Sequence, residues 1–186
     1  MKNNKIYFSL FFISLFLFSC DMNEGAMSFE EALQIKAEEY RRFADNNRDS
    51  IMADVADIEQ YLETEGIVDY DTTYSGVRYY KTVEGNGPEI EPGLAVALYY
   101  RLHDLETGEM YDEARDPKTG DERPFVFTSY AANIIQGFDE GVEKFREGDE
   151  GYIFIPSDLG YGEEGNLKVP GNTNLYFFIK VRQVQN

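Results

Sequence analysis

Between residues 28 and 66, apolar residues recur every three or four positions and charged residues fill the positions between them. This period predicts two amphipathic helices, which together we call the helical arm. Ser28 and Glu31 have the spacing of a capping box, which marks the start of the first helix. A polar break at residues 45–47 separates the helices, and Gly66 is a natural end for the second. The predicted apolar stripe of the second helix consists of Ile51, Val55, Ile58 and Leu62.

After Gly66 the pattern changes to strict alternation, interrupted at short intervals by Gly, Pro, Asn and Asp. Alternation bounded by turn residues is typical of strands. The six predicted strands span residues 76–83, 94–102, 110–112, 125–128, 152–156 and 175–184. Between the fourth and fifth, residues 134–145 return to helical spacing, which predicts one short helix packed on the sheet. The fold class is therefore α+β, with the β-rich domain at residues 74–186.

The first residues have the pattern of an export signal. Lys2 and Lys5 precede an apolar run at residues 6–18, which is shorter than the roughly 20 residues needed to span a bilayer. The run ends in a sequence that resembles a lipobox, with Cys20 as the acceptor of fatty acyl chains such as palmitate. We expect residues 1–19 to be a signal peptide and 20–27 a tether. An incidental cysteine in an ordinary signal peptide is the alternative.

Charge and composition limit the kinds of partner and site that we expect for this protein. The net charge is -18, and loss of residues 1–19 removes two lysines and no acid, which disfavours nucleic acid as a partner. Cys20 is the only cysteine, so the chain alone forms no disulfide. The only histidine, His103, is expected near a hairpin turn, and no metal site is expected.

From Tyr74 onward, seven motifs follow one another in a fixed order. They lie at residues 74–87, 95–100, 108–112, 124–127, 134–142, 155–162 and 169–177. The most specific is Ile134-Ile135-Gln136-Gly137-Phe138-Asp139-Glu140-Gly141-Val142. In this order the motifs resemble the FKBP family of peptidyl-prolyl cis-trans isomerases over about residues 74–184.

The resemblance implies a half-barrel sheet wrapped on one short helix, with a pocket for a proline ring and no cofactor. Matching positions imply that Tyr99, Asp112, Tyr161 and Phe177 are catalytic, and that Tyr111, Phe125, Ile134, Ile135, Phe138 and Val169 bind substrate. The sequence departs from the family pattern at Tyr111, where Phe is usual, and at Phe138, where Trp is common. The loop at residues 162–169 is about one residue short.

The implied reaction is rotation of an Xaa-Pro bond in exported, proline-containing polypeptides. We expect the Tyr161 hydroxyl and the Ile135 N–H to donate to peptide carbonyls. The alternative is a non-catalytic chaperone or binding module that uses the same pocket. A lipid anchor through Cys20 leaves open retention at the inner membrane, placement at the outer membrane or display on the cell surface. We expect the outer membrane, with the protein facing the periplasm or the cell surface. The arrangement resembles isomerase lipoproteins associated with gliding motility.

Three roles are open for the arm: packing on its own domain, pairing with a second copy as a homodimer, or spacing the domain from the membrane. Because every candidate pocket residue lies at or after Tyr99, we expect residues 28–65 to be dispensable for chemistry. A chain that begins near Asp69 should then fold and turn over short peptides.

Overall fold

A computed structural model describes residues 27–115, 121–131 and 134–185. Cys20 and the predicted signal peptide lie outside these residues. The arm forms helices α1 (Phe29–Asn46) and α2 (Arg48–Thr64), so both predicted helices are confirmed. The predicted capping box is present, because the Ser28 hydroxyl accepts from the Glu31 N–H and the Glu31 carboxylate accepts from the Ser28 N–H. No helix among the described residues is long and apolar enough to cross a membrane.

The β-rich domain is one antiparallel sheet with the strand order β1-β2-β6-β7-β3-β4, and β5 pairs with the other end of β3. Its strands are β1 (Asp71–Thr72), β2 (Arg78–Val83), β3 (Ala95–Asp104), β4 (Met110–Glu113), β5 (Phe125–Thr128), β6 (Glu150–Ile155) and β7 (Leu175–Gln185). All six predicted strands are present, and the α+β class is confirmed. The two-residue β1 was not predicted, because it is too short to show an alternating pattern.

Helix α3 (Gln136–Val142) lies on the inner face of the sheet. It approaches β6 closely because Gly137 and Gly141 face that strand. A Cβ at Gly137 would lie 2.3 Å from the Ile155 Cγ2, and one at Gly141 would lie 2.4 Å from the Ile153 Cγ2. Two glycines four positions apart therefore fix the short helix directly on the sheet.

Helix α2 packs on its own domain, which is the first of the three roles considered for the arm. Ile51 and Val55 join the main core, and Ile58 and Leu62 pack with Phe154 on the outer face of the sheet. All four α2 side chains are at most 1% exposed. We therefore revise the expectation that a chain beginning near Asp69 folds, because the loss of α2 would uncover both clusters.

Candidate active site

At one end of α3 the inner face of the sheet is not covered, and a cavity of about 520 Å³ opens there. Aromatic and aliphatic side chains form most of its wall. The cavity is lined by Tyr100, Leu102, Asp112, Phe125, Ile134, Ile135, Phe138, Gly160, Tyr161 and Phe177.

Four aromatic rings hold one another in place around the cavity. The Phe138 and Phe177 ring centroids are 4.7 Å apart, and the Tyr100 ring meets Phe125 edge-on at 5.7 Å. Tyr100 also contacts Phe138 and Phe177. Tilted and edge-to-face pairs at these distances are favourable, so the apolar wall is pre-formed.

Asp112 is the charged group at the cavity. Its Oδ2 accepts from the Tyr100 hydroxyl at 2.6 Å, and its Oδ1 lies 2.9 Å from the Lys168 Nζ. Burial opposes ionisation of this carboxyl, but the hydrogen bonds from Tyr100 and Lys168 outweigh it and lower the pKa of Asp112. Burial and the Asp112 carboxylate together raise the pKa of Tyr100. At neutral pH the pair is therefore a carboxylate and a neutral phenol.

Tyr161 and Ile135 bring two hydrogen-bond donors to the cavity. Burial, and then the negative charge of Asp112, raise the pKa of Tyr161, so its hydroxyl keeps its proton at neutral pH. Ile135 is the N-cap of α3 in an extended conformation. No residue of the described parts of the chain accepts its N–H. Two donors at an apolar cavity can bind the carbonyl oxygens of a peptide.

Potential metal-ligating side chains do not cluster in the part of the chain that the structure describes. Among residues 27–115, 121–131 and 134–185, no three His, Cys, Asp or Glu side chains are grouped so that they could hold a metal ion. The arrangement can instead exclude water from an apolar group and orient the polar groups beside it.

Comparison with known proteins agrees with this geometry. The model of the family described as FKBP-type peptidyl-prolyl cis-trans isomerase matches residues 87–182, which is more than half of the chain. The chain belongs to the FKBP-type peptidyl-prolyl cis-trans isomerase family.

Individual FKBP relatives also match part of this chain. The chain is 36% identical over 101 residues to FK506-binding protein 4 of Emericella nidulans, a match that covers 54% of this chain and 20% of that protein. It is 35% identical over 86 residues to peptidyl-prolyl cis-trans isomerase FKBP2 of Mus musculus, covering 45% of this chain and 61% of that protein. The match thus spans only a part of each relative.

Two solved structures share the fold. FkpA from Escherichia coli superimposes with a TM-score of 0.59 at 22% identity, over 86% of this chain and 74% of its own. The peptidyl-prolyl cis-trans isomerase from Pseudomonas syringae superimposes with a TM-score of 0.56 at 19% identity, over 88% of this chain and all of its own. These likenesses establish an FKBP-like fold.

Within this FKBP-type domain, most of the residues that the sequence singled out meet at the cavity. They are Asp112, Phe125, Ile134, Ile135, Phe138, Tyr161 and Phe177. Val169 lies in the core beside them and is 2% exposed, but it does not line the cavity.

The prediction that Tyr99 lies at the pocket is corrected, because Tyr100 lines the cavity in its place. Side chains alternate between the two faces of a strand. Leu98 and Leu102 are buried in the core on the inner face, and Tyr100 shares their parity. Tyr99 therefore points to the outer face, where it lies opposite Lys180 of β7. In the sequence, the signal that would have placed Tyr100 correctly was the apolar residue Leu98 two positions before it, because alternation puts both on the inner face.

Tyr111 packs against the core and does not line the cavity, and its contact with substrate stays a prediction. Its hydroxyl donates to the Asp104 Oδ2 at 2.7 Å. The other oxygen of that carboxylate accepts the N–H groups of Glu106 and Thr107 in the β3–β4 turn. The hydroxyl added at this FKBP position thus supports a turn. His103 lies beside the same turn, as expected, with its Nδ1 3.1 Å from the Gly108 oxygen.

Besides Tyr100, sequence reasoning missed Leu102 and Gly160 as cavity residues. Leu102 follows from the same alternation as Tyr100. Gly160 follows the 3-10 helix Ser157–Leu159, an element whose three residues give no periodic signal.

Proposed function

We propose that this protein is a peptidyl-prolyl cis-trans isomerase and that the cavity beside α3 binds the proline ring of its substrate. The observation that carries the proposal is the pre-formed aromatic wall of Phe125, Phe138 and Phe177 with two donors, Tyr161 and Ile135, at the same cavity. An apolar enclosure next to oriented donors suits a proline ring flanked by peptide carbonyls.

The chemistry is rotation about one amide bond, so no nucleophile is needed. The barrier of about 18 to 20 kcal/mol arises from amide resonance, which water strengthens by solvating the carbonyl oxygen. Transfer into an apolar cavity removes that water. Lowering the barrier by ~4 kcal/mol accelerates rotation about a thousandfold.

Each residue has a separate role in this mechanism. The rings of Phe125, Phe138 and Phe177 hold the prolyl ring. The Tyr161 hydroxyl and the Ile135 N–H donate to carbonyl oxygens on either side of the rotating bond. Asp112 keeps the Tyr100 ring in place through their 2.6 Å hydrogen bond and makes the rim of the cavity polar.

The proposal is tested by an isomerisation assay with short Xaa-Pro peptides and the full chain. We expect the rate to rise linearly with protein concentration and to be highest when an apolar residue precedes the proline. Should the folded protein give no acceleration yet bind unfolded proteins, the chain would be a binding module or chaperone instead.

We also propose that the protein is an exported lipoprotein that acts on proline-containing proteins of the cell envelope. The support is the sequence: two lysines, a short apolar run and a lipobox-like end at Cys20. Two or three acyl chains, at about 0.8 kcal/mol per buried methylene, would hold it permanently at a membrane. Isomerase lipoproteins associated with gliding motility are one setting for such a role.

Labelled fatty acid should enter the wild type and not Cys20→Ala. Equal labelling of the two would exclude a lipid on this cysteine. Fractionation should recover the wild type with the outer membrane, and recovery with the inner membrane alone would overturn that placement.

A further inference from the structure

Helix α1 of the arm contacts the back of α3 with polar groups. The Tyr40 hydroxyl donates to the Asp139 Oδ2 at 3.1 Å, and the Gln136 Nε2 donates to the Tyr40 backbone oxygen at 2.9 Å. The Lys36 Nζ lies 3.8 Å from the same Asp139 oxygen. Side chains at two positions of α3 are therefore held by a helix outside the β-rich domain.

Asp139 is fully buried, so the loss of one of these contacts would be costly. Its other oxygen accepts the Tyr130 N–H at 3.0 Å. A buried carboxylate that loses a partner must be re-solvated or protonated, and it shifts its neighbours in either case. Since Phe138 precedes Asp139 directly, any such shift reaches the floor of the cavity.

Helix α2 contacts the segment that leads into a second part of the cavity wall. The Asp54 Oδ2 accepts from the Ser157 N–H at 2.8 Å and from the Ser157 hydroxyl at 2.7 Å. Ser157 begins the 3-10 helix, and Tyr161 follows that helix two residues after its end. The arm thus holds both the segment that carries Phe138 and the one that carries Tyr161.

Neither of these segments is long enough to hold its own orientation. Helix α3 has seven residues and the 3-10 helix has three. Isolated helices shorter than about 12 residues are marginal in water, so tertiary contacts must fix both.

From these contacts we infer that Tyr40 and Asp54 are positioning residues of the isomerase site, so that the helical arm is a working part of it. This inference rests on the proposed isomerase activity. Tyr40 aligns the cavity floor through α3, and Asp54 aligns the Tyr161 hydroxyl through Ser157.

Matched variants separate positioning from general stability. For Tyr40→Phe the control is Tyr74→Phe, because the Tyr74 hydroxyl bonds to Asp45 of the arm at 2.7 Å without touching α3. For Asp54→Ala the control is Asp57→Ala, one turn further along α2 on an exposed residue. All four variants are compared with the wild type at temperatures where each is fully folded.

We expect Tyr40→Phe and Asp54→Ala each to lower kcat about three- to tenfold with a smaller change in KM, because the donors and walls are misaligned in the transition state. The two controls should stay within about twofold of the wild type. Equal losses in a variant and its control, or no loss in either positioning variant, would overturn the inference.

Hydrogen exchange gives a second readout that does not depend on activity. The Phe138 and Asp139 N–H groups, which donate to the Ile135 oxygen, should exchange faster in Tyr40→Phe than in Tyr74→Phe. If the wild type proves inactive, the proposed function fails, while exchange still shows whether Tyr40 fixes α3. Unchanged exchange in Tyr40→Phe would contradict positioning through that helix.

Discussion

The two faces of the sheet are both rich in aromatic residues, yet they are covered differently. On the outer face, α2 closes over Phe154, whose ring lies 6.1 Å from Tyr61 and 6.0 Å from Tyr176. On the inner face, α3 covers only part of the aromatic residues and leaves the cavity with Phe177 in its wall.

The difference lies in the length of the covering helix. At 1.5 Å per residue, the 17 residues of α2 span about 25 Å, whereas the seven residues of α3 span about 10 Å. The longer helix α2 buries Phe154 on the outer face and contributes stability. A short helix leaves part of its face open, and that open part is where a ligand can bind.

Removal of the arm should have the largest effect on the stability of the protein. A chain that begins at Asp69 loses Ile51, Val55, Ile58 and Leu62, and burial of such side chains contributes about 1.5 to 3 kcal/mol each. Their sum is comparable to a typical total stability of about 5 to 15 kcal/mol. We expect this chain to show no cooperative thermal transition, whereas a chain that begins at Met27 should unfold cooperatively. A folded and active Asp69 chain would show that α2 is not part of the core.

Truncation of one ring on each face should separate stability from activity. Phe154→Ala and Phe177→Ala each remove a buried ring, and each should lower the free energy of unfolding by about 3 to 5 kcal/mol in denaturant titrations. Only Phe177→Ala should also lower kcat/KM per folded molecule, because only Phe177 lines the cavity. If Phe154→Ala lowers kcat/KM equally, the outer face contributes to the site and the contrast fails.

Acid should weaken the polar support beside the inner face. Burial opposes ionisation of Asp104, but the hydrogen bonds from Thr107, Tyr111 and Glu106 outweigh it and lower its pKa. A lowered folded-state pKa stabilises the fold above the unfolded value of about 3.9, and this contribution disappears as pH falls through the folded value. Tyr111→Phe should lower the free energy of unfolding by about 1 kcal/mol at pH 7 and by less near pH 3.

The control for Tyr111→Phe is Tyr79→Phe, because the Tyr79 hydroxyl has no hydrogen bond to the described residues. It should leave the pH dependence of stability unchanged. A Tyr111→Phe effect that is equal at pH 7 and pH 3 would show that the Asp104 carboxylate is not its source.

Deletion of a single hydroxyl should give the smallest effect. Tyr161→Phe keeps the ring and removes a hydrogen bond worth ~0.5 to 1.5 kcal/mol, which predicts a loss of about two- to tenfold in kcat/KM without unfolding. Tyr176→Phe makes the same change on the outer face and should have no effect on kcat/KM. Full activity in Tyr161→Phe would remove this hydroxyl from the mechanism.

Periodicity was sufficient to predict most of the fold. The two arm helices, six strands and α3 each show a regular pattern over several residues, so burial of one face is visible in the sequence. The strand β1 was missed because two residues cannot show alternation, and the 3-10 helix was missed because its three residues form only a single turn. The packing of α2 on its own domain could not be predicted, because an apolar stripe does not specify its partner.

The site was predictable where a motif fixes each position and less so where neighbouring residues are alike. Tyr99 and Tyr100 are adjacent and chemically identical, so only their parity with Leu98 separates them. Tyr111 was placed at the pocket by its position in a motif, but its hydroxyl is bound by Asp104, a residue that no pocket motif includes.

Exchange NMR on an Xaa-Pro peptide with isotope-labelled protein tests whether the inner-face cavity isomerises proline bonds, because one sample reports both the rate and the binding site. We expect cis-trans exchange peaks of the peptide at substoichiometric protein. The chemical-shift changes should be confined to the inner-face residues Tyr100, Phe125, Phe138 and Phe177, with Tyr61, Phe154 and Tyr176 unaffected. Absence of exchange peaks from a folded protein, or shift changes centred on the outer face, would show that the inner-face cavity is not an isomerase site.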